Sequence, residues 1–422
     1  MVTYGKRLPR RAAGLAIAAA VLAVAACGGG SSAGTSNDQG AVAAKGGQLV
    51  FGNWQWLEPG RGDVLWNGVG KYSETNPKAK LVKESTPFSS YADKLNTELG
   101  AGGGPDLIVM MDSQFATLSK AGLLEPLDDV LGGAKLNGTN DSGKTNGKQM
   151  AVTWERINYA LIWNKSVLAK AGVKPPTTVD ELISAGKTIK AKTGVQGFGV
   201  RHRTAEFDGW SLDVANWIYG FGGSYAKDGK LTLDSPENIE GVKAFKKVYD
   251  SGIMPIGDDM STMRSKFAQG RLAMLIENGG GTEAAASKLG GAAIGSSALP
   301  FPHPGAHQQV LIGVNAHSKN KALAKDFIKW FVSAKGQKLS QPGHGPSTMA
   351  TDLPPNQQFI AANPWGIVFP TLSADSRSPI IPGFETKTKP IMRNFLEAVD
   401  KVDLQNADPG KALAEAQQRS KQ

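Results

Sequence analysis

Between residues 48 and 110 short apolar runs alternate with amphipathic stretches across tight turns, and this alternation constrains the fold more than any other feature of the chain. Residues 48–52 read as a strand ending in Asn53-Trp54-Gln55-Trp56. Val64, Leu65, Val69 and Tyr72 then recur at helical spacing, Asn76-Pro77 stops the helix, and residues 79–82 form a second strand. Residues 91–99 read as the next helix, Gly102-Gly103-Gly104-Pro105 as a turn, and residues 106–110 as a buried strand. Strand, helix, strand with connections this short predicts a doubly wound parallel sheet in an α/β fold.

Residues 1–26 carry an address. Lys6, Arg7, Arg10 and Arg11 form a basic head, and residues 12–23 an apolar run too short to cross a bilayer, the pattern of a secretion signal. Leu22-Ala23-Val24-Ala25-Ala26-Cys27-Gly28 resembles a bacterial lipobox, which implies that the Cys27 thiol takes diacylglycerol and becomes the mature amino terminus. Cys27 is the only cysteine, so an intramolecular disulfide is impossible and stability must come from a packed core. The remaining 396 residues are too many for one core and predict two lobes. Residues 28–47, rich in Gly, Ser and Ala, read as a flexible tether reaching roughly 25 Å.

Cleaving the leader takes four basic residues and no acid, which lowers the formal charge from +10 to +6. That excess is mild and is not clustered with aromatic platforms, which argues against nucleic acid as a partner. No later segment has membrane length, so anchoring falls to lipid alone, at about 0.8 kcal/mol per buried methylene.

The order of landmarks beyond the tether resembles the family 1 extracellular solute-binding proteins of ABC importers, best known for maltodextrin and oligosaccharide binders. The matching stretches begin with Tyr91-Ala92-Asp93-Lys94-Leu95, Gly104-Pro105-Asp106-Leu107-Ile108 and Ala121-Gly122-Leu123-Leu124-Glu125-Pro126-Leu127. Tyr159-Ala160-Leu161-Ile162-Trp163-Asn164-Lys165, Ala171-Gly172-Val173 with Pro175-Pro176-Thr177-Thr178, Phe267-Ala268-Gln269-Gly270-Arg271-Leu272-Ala273-Met274 and residues 318–331 complete the series. The resemblance implies a two-lobe α/β fold of the periplasmic-binding-protein type (type II), with a hinge and an interlobe cleft that closes on solute. It places residues 48–158 and 300–345 in one lobe, and 159–299 and 346–422 in the other. It further implies a monomer that hands its solute to permease subunits, outside the cytoplasmic membrane in a Gram-positive cell or in the periplasm of a Gram-negative one.

Some landmarks have structural readings. Thr178-Val179-Asp180-Glu181 is a capping box with Gly194 near the helix stop, and Val179 stands where the family often has tryptophan. Leu323, Phe327, Ile328 and Phe331 share one helical face and read as core, as do Trp66, Trp163 and Trp330.

Carbohydrate is the solute class that the aromatic inventory favours. A pyranose offers apolar faces and a fringe of hydroxyls, so its site needs flat rings beside planar polar groups. Trp54-Gln55-Trp56, Trp154-Glu155-Arg156, Asp208-Gly209-Trp210 and Asn363-Pro364-Trp365 bring the two together. The candidate contacts are Gln55, Trp56, Asp112, Ser113, Trp154, Glu155, Arg156, Trp210, Glu277, Asn278, Trp365 and Arg377. Where relatives often carry an aromatic after a glycine, this chain has Gly279-Gly280-Gly281, leaving Trp210 or Trp365 to compensate.

Other classes fit less well. Arg201-His202-Arg203 is suited to an anionic group, which keeps a phosphorylated or other non-sugar solute as the alternative. A glycoside-processing enzyme would need paired carboxylates; no Gly-x-Ser-x-Gly, His-Glu-x-x-His or Walker motif occurs. The five histidines lack metal-site spacing, so neither metal nor cofactor is expected. Arg61-Gly62-Asp63 is a tripeptide expected by chance, and an adhesive lipoprotein would not close on a solute.

Overall fold

The structure is a computed structural model that describes residues 47–58 and 60–421; the leader, Cys27 and residues 28–46 lie outside them. Eight strands build one curled sheet: β1 (Gly47–Gly52), β2 (Ala79–Glu84), β3 (Leu107–Met111), β4 (Ala151–Asn164), β5 (Gln196–Gly199), β6 (Leu272–Asn278), β7 (Ile294–Ser297) and β8 (His307–Val314). Their order is β2-β1-β3-β8-β4-β6-β5, with β7 also paired to β4. The first three are parallel, as the alternation predicts. The strand expected from residue 106 starts one residue later because Asp106 is occupied in tying strands: its carboxylate accepts from Val50 N at 2.8 Å and from Ser318 Oγ at 2.5 Å.

The helices that position the site are α1 (Gly62–Gly70), α2 (Phe88–Gly100), α3 (Asp112–Lys120), α4 (Val179–Thr193), α5 (Phe207–Gly220), α6 (Met260–Ala268), α7 (Gly279–Leu289), α8 (Lys321–Phe331), α9 (Ala334–His344) and α10 (Thr388–Gln405). Among the described residues no helix is long and apolar enough to cross a membrane. The α4 cap forms with a shift: Thr178 Oγ1 accepts from Glu181 N at 3.2 Å, but the Glu181 carboxylate reaches Thr177, one residue beyond the expected cap. Gly194 closes the helix at φ 71°, where a side chain would be strained.

β4 organises the molecule. Its 14 residues extend about 45 Å at the usual strand rise. Residues 151–158 pair with β8, and residues 159–164 pair with β6 and β7, so one strand belongs to both lobes. The first lobe's core gathers Leu49, Phe51, Val109 and Ile312 with Leu323, Phe327, Ile328 and Phe331 of α8, each side chain worth about 1.5–3 kcal/mol of burial. In the second lobe, Tyr159 and Leu161 face one core while Ala160 and Ile162 face another, the period-two alternation of a strand covered on both sides. Trp330 is buried, and Trp66 and Trp163 are half-buried against these cores.

Two further segments lie beside β4 and β8. Thr348 exchanges backbone hydrogen bonds with Arg156 at 2.7 and 3.1 Å, and Arg377 with Gly305 and His307 at 3.1 and 2.9 Å. Met349 and Ala350 pack in the first core, so the chain stays with that lobe beyond Gly345, where the resemblance implied it would leave.

Candidate functional site

In the parallel part of the sheet the order β2-β1-β3 reverses between β1 and β3, and the crevice beyond the carboxyl ends of such strands is where ligands settle. Gln55 stands in the turn after β1, and Asp112 and Ser113 open α3 directly after β3. Gln55 meets this edge from its turn, and Glu155 and Arg156 meet it from β4 beside a β-bulge. Val310 pairs with Glu155 and Leu311 with Thr153, which leaves Trp154 as the extra residue and re-aims its neighbours.

One cluster centres on Glu155, which is fully buried. Its carboxylate accepts from the Gln55 amide and, at 2.5 Å, from Arg61 Nη2. Gln55 Oε1 accepts from Trp154 Nε1 at 2.7 Å, and Asn53 fixes the turn by accepting from Gln55 N at 2.9 Å. Arg61 also donates to Glu58 at 2.9 Å and to the Gly343 carbonyl at 2.9 Å. Burial pulls the Arg61 guanidinium down, but Glu155 and Glu58 outweigh it and hold it above its ordinary value. Burial raises both Glu58 and Glu283 of α7, and the nearby Glu155 raises them further. The Arg-Gly-Asp tripeptide thus supplies the cluster's cation, and its signal in the sequence was Glu58, three residues before Arg61.

A second cluster joins Asp112 to the segments beside β4 and β8. Its carboxylate accepts from Ser378 Oγ at 2.5 Å and from Ser113 N at 2.9 Å, while the Ser113 side chain is exposed. Burial pushes Asp112 up to about 6 against these hydrogen bonds and the charge of Arg156. Arg156 donates to Gln309 Oε1 at 2.7 Å, to Ser373 O at 3.1 Å and to Ser142 Oγ at 3.3 Å. Burial lowers it to about 10, opposed by Asp112 and Asp141.

The second lobe contributes a third. Glu277 is buried and grips Arg264 through Nε at 2.5 Å and Nη2 at 2.9 Å. Asn278 caps α7 by accepting from Gly281 N at 2.9 Å. A Cβ at Gly279 would lie 2.6 Å from Pro346, and one at Gly281 would lie 2.2 Å from the Glu277 carboxylate. Close packing, with no room for a side chain, accounts for Gly279 and Gly281 where an aromatic was expected; a Cβ at Gly280 would meet only Asn278 Oδ1 at 3.6 Å. Asp213 lies beside Glu277 and Arg201, buried, with neither carboxylate oxygen hydrogen-bonded to the described residues. Burial pushes it up to about 7, with Arg201 opposing and Glu277 assisting.

The expected tryptophans do not meet at this edge. Trp154 stacks on Phe331 at 5.2 Å and meets His344 at 4.6 Å; Trp56 packs on Phe51 and Trp66 and donates to Phe51 O at 3.1 Å. Trp210 is buried against His202, and Trp365 against Phe359 and Phe369. All four brace cores, and neither Trp210 nor Trp365 offers an open face in place of the glycines. Arg377 lies 4.0 Å over the Tyr219 ring and donates to Gly223 O at 2.8 Å. The charged run is likewise absorbed: Arg201 is 3.6 Å from Asp213, His202 3.3 Å from Asp403, and Arg203 3.8 Å from Asp259. A cavity of about 220 Å³ lies at the hinge, lined by Asn158, Tyr159, Leu299, Phe301, Leu372 and Ser376 among others. None of the twelve expected contacts lines it.

The family of bacterial extracellular solute-binding proteins matches residues 30–338, most of the chain. The chain belongs to that family. Among curated relatives of this solute-binding protein, the diacetylchitobiose binding protein DasA of Streptomyces coelicolor is 27% identical, covering 92% of this chain and 93% of its own. The maltotriose-binding protein of Pyrococcus abyssi is 27% identical over 66% of this chain and 62% of its own. Among solved structures, the GacH receptor of Streptomyces glaucescens superposes with a TM-score of 0.75 at 21% identity, covering 89% of this chain and 97% of that one, and so shares the two-lobe fold.

Proposed function

We propose that this solute-binding protein captures an uncharged carbohydrate between its lobes and delivers it to the permease of an ABC importer, without covalent chemistry on the solute. One observation carries the reading: Arg61 and Arg264, the guanidiniums beside Glu155 and Glu277, are already hydrogen-bonded to protein carboxylates. Arg61 is held by Glu58 and Glu155, Arg264 by Glu277, and Arg201 lies beside Asp213 and Glu206. Arg156 is met by neutral oxygens. At Arg61 and Arg264 a phosphate or uronate would have to displace these carboxylates, whereas sugar hydroxyls can add to oriented amides, carboxylates and guanidiniums without disturbing their charge balance. The relatives named for chitobiose and maltotriose support the same class.

In this reading Gln55, Asp112, Ser113, Glu155, Arg156, Glu277 and Asn278 form the polar walls, and Trp56, Trp154, Trp210, Trp365 and Arg377 hold them in place. The protein is a monomer on the outer face of the membrane, leashed by lipid on Cys27. A thermal-shift panel of mono- and oligosaccharides, polyols, sugar phosphates and glycerol phosphates tests the class. One neutral carbohydrate class should raise Tm, since a hundredfold excess over Kd adds about 2.7 kcal/mol. A shift with phosphorylated solutes alone contradicts the reading. Replacing Cys27 by Ala should release the protein from the membrane fraction; continued retention contradicts the lipid leash.

A further inference from the structure

With every tryptophan buried or half-buried, Phe88 is the one exposed phenylalanine, tyrosine or tryptophan among the described residues, at 57%. It opens α2, on the connection that follows β2, and its ring lies 5.5 Å from that of Trp54. Trp54 is backed in turn by Tyr91 at 5.2 Å, whose hydroxyl lies 2.9 Å from Gly52 O, at the end of β1, and 2.8 Å from Val109 O, in the middle of β3. Leu57, 52% exposed, follows three residues after Trp54 in the same 3-10 turn, where side chains three apart eclipse on one face. Phe88 is therefore an exposed apolar group backed by Trp54 and Tyr91, Leu57 is a second exposed apolar side chain in the turn that carries Trp54, and the side chains after Phe88, Ser89 and Ser90, carry no charge.

β2 is the outermost strand of the sheet and runs parallel to β1 and β3, so its carboxyl end opens on the same edge as Gln55 and Asp112. From β3 to β2 is two strand spacings, about 10 Å. A single pyranose seated at Asp112 does not reach that far.

We propose that Phe88, seated on Trp54, is a platform for an outlying pyranose ring, so that the ligand is an oligosaccharide of at least two units rather than a monosaccharide. This rests on the carbohydrate reading above and adds to it a chain length and a contact. The apolar face of the outer ring covers the phenyl group, and its hydroxyls stay in water. The inner ring takes the polar walls.

Isothermal titration of the parent protein and of Phe88→Ala and Phe88→Trp tests this, with glucose, galactose and N-acetylglucosamine and their di- to tetrasaccharides as titrants. The parent should bind an oligosaccharide more tightly than its monosaccharide. Phe88→Ala should lose about tenfold in affinity for the oligosaccharide, less than twofold for the monosaccharide, and Phe88→Trp should restore binding. Equal oligosaccharide affinity in parent and Phe88→Ala overturns the platform while leaving the carbohydrate reading intact; it would also be the result if Phe88 served only to dock the permease. A parent that binds no carbohydrate overturns the underlying reading and this inference with it.

Discussion

Glu155 has no water contact, and its charge is balanced by a residue from the turn before α1, so the ion pair with Arg61 is a structural commitment as well as a polar wall. Breaking a buried pair from one side strands the other charge, which costs about 3–5 kcal/mol. Arg61→Met should therefore lower unfolding stability in urea by about 3 kcal/mol, and the double variant with Glu155→Gln should recover most of the loss. A single-variant loss below about 0.5 kcal/mol would show that Glu155 is neutralised some other way. Asp213 makes a pH prediction. Its folded value, about 7, lies above the ordinary 3.8, so the folded state binds the proton more tightly than the unfolded chain. Stability from this group is present below about pH 4 and is lost as pH rises through 7; Asp112, at about 6, acts in the same direction. Tm measured from pH 4 to 8 should fall less steeply for Asp213→Asn than for the parent. An unchanged slope would place the titration elsewhere.

At the scale of elements, the α4 cap offers the cleanest single-site test, because Thr178 is exposed and its oxygen serves a backbone amide. Thr178→Ala should cost about 1 kcal/mol by chemical denaturation, and no loss would mean that the Glu181 contact to Thr177 suffices as a cap. Elements of this kind were legible in the sequence, since the first three strands, the helix at residues 91–99 and the apolar face of α8 are written in local periodicity and turn residues. The site was legible only in part. Gln55, Asp112 and Glu277 could be placed because they sit at or just beyond strand ends, where chain order alone brings them to an edge, whereas Glu155 lies inside β4 beside the bulge. Arg61, Ser378, Arg264 and Asp213 were missed because their partners lie in other segments, and no local pattern records a pairing such as Ser378 with Asp112 across 266 residues. The tryptophans misled for the opposite reason. Polar neighbours in sequence suggested an open ring, but in a strand or helix the neighbour points elsewhere, and the bulge at Trp154 turns the indole into the core while Glu155 meets Arg61.

For the whole molecule, one long strand, its partner β8 and the segment that leaves the first core after Ala350 join the lobes, a connection that bends at a few backbone positions while each core stays packed. The Asp112–Ser378 hydrogen bond links the first lobe's edge to the segment that runs into α10. A guest that touches both walls favours the closed arrangement by its differential affinity, and closure is what a permease can read. Small-angle X-ray scattering, with and without a saturating carbohydrate identified in the thermal-shift panel, tests this most directly. The account predicts a smaller radius of gyration and a narrower distance distribution when that sugar is bound. Superimposable profiles under saturation, with binding confirmed in the same sample, would contradict capture by closure.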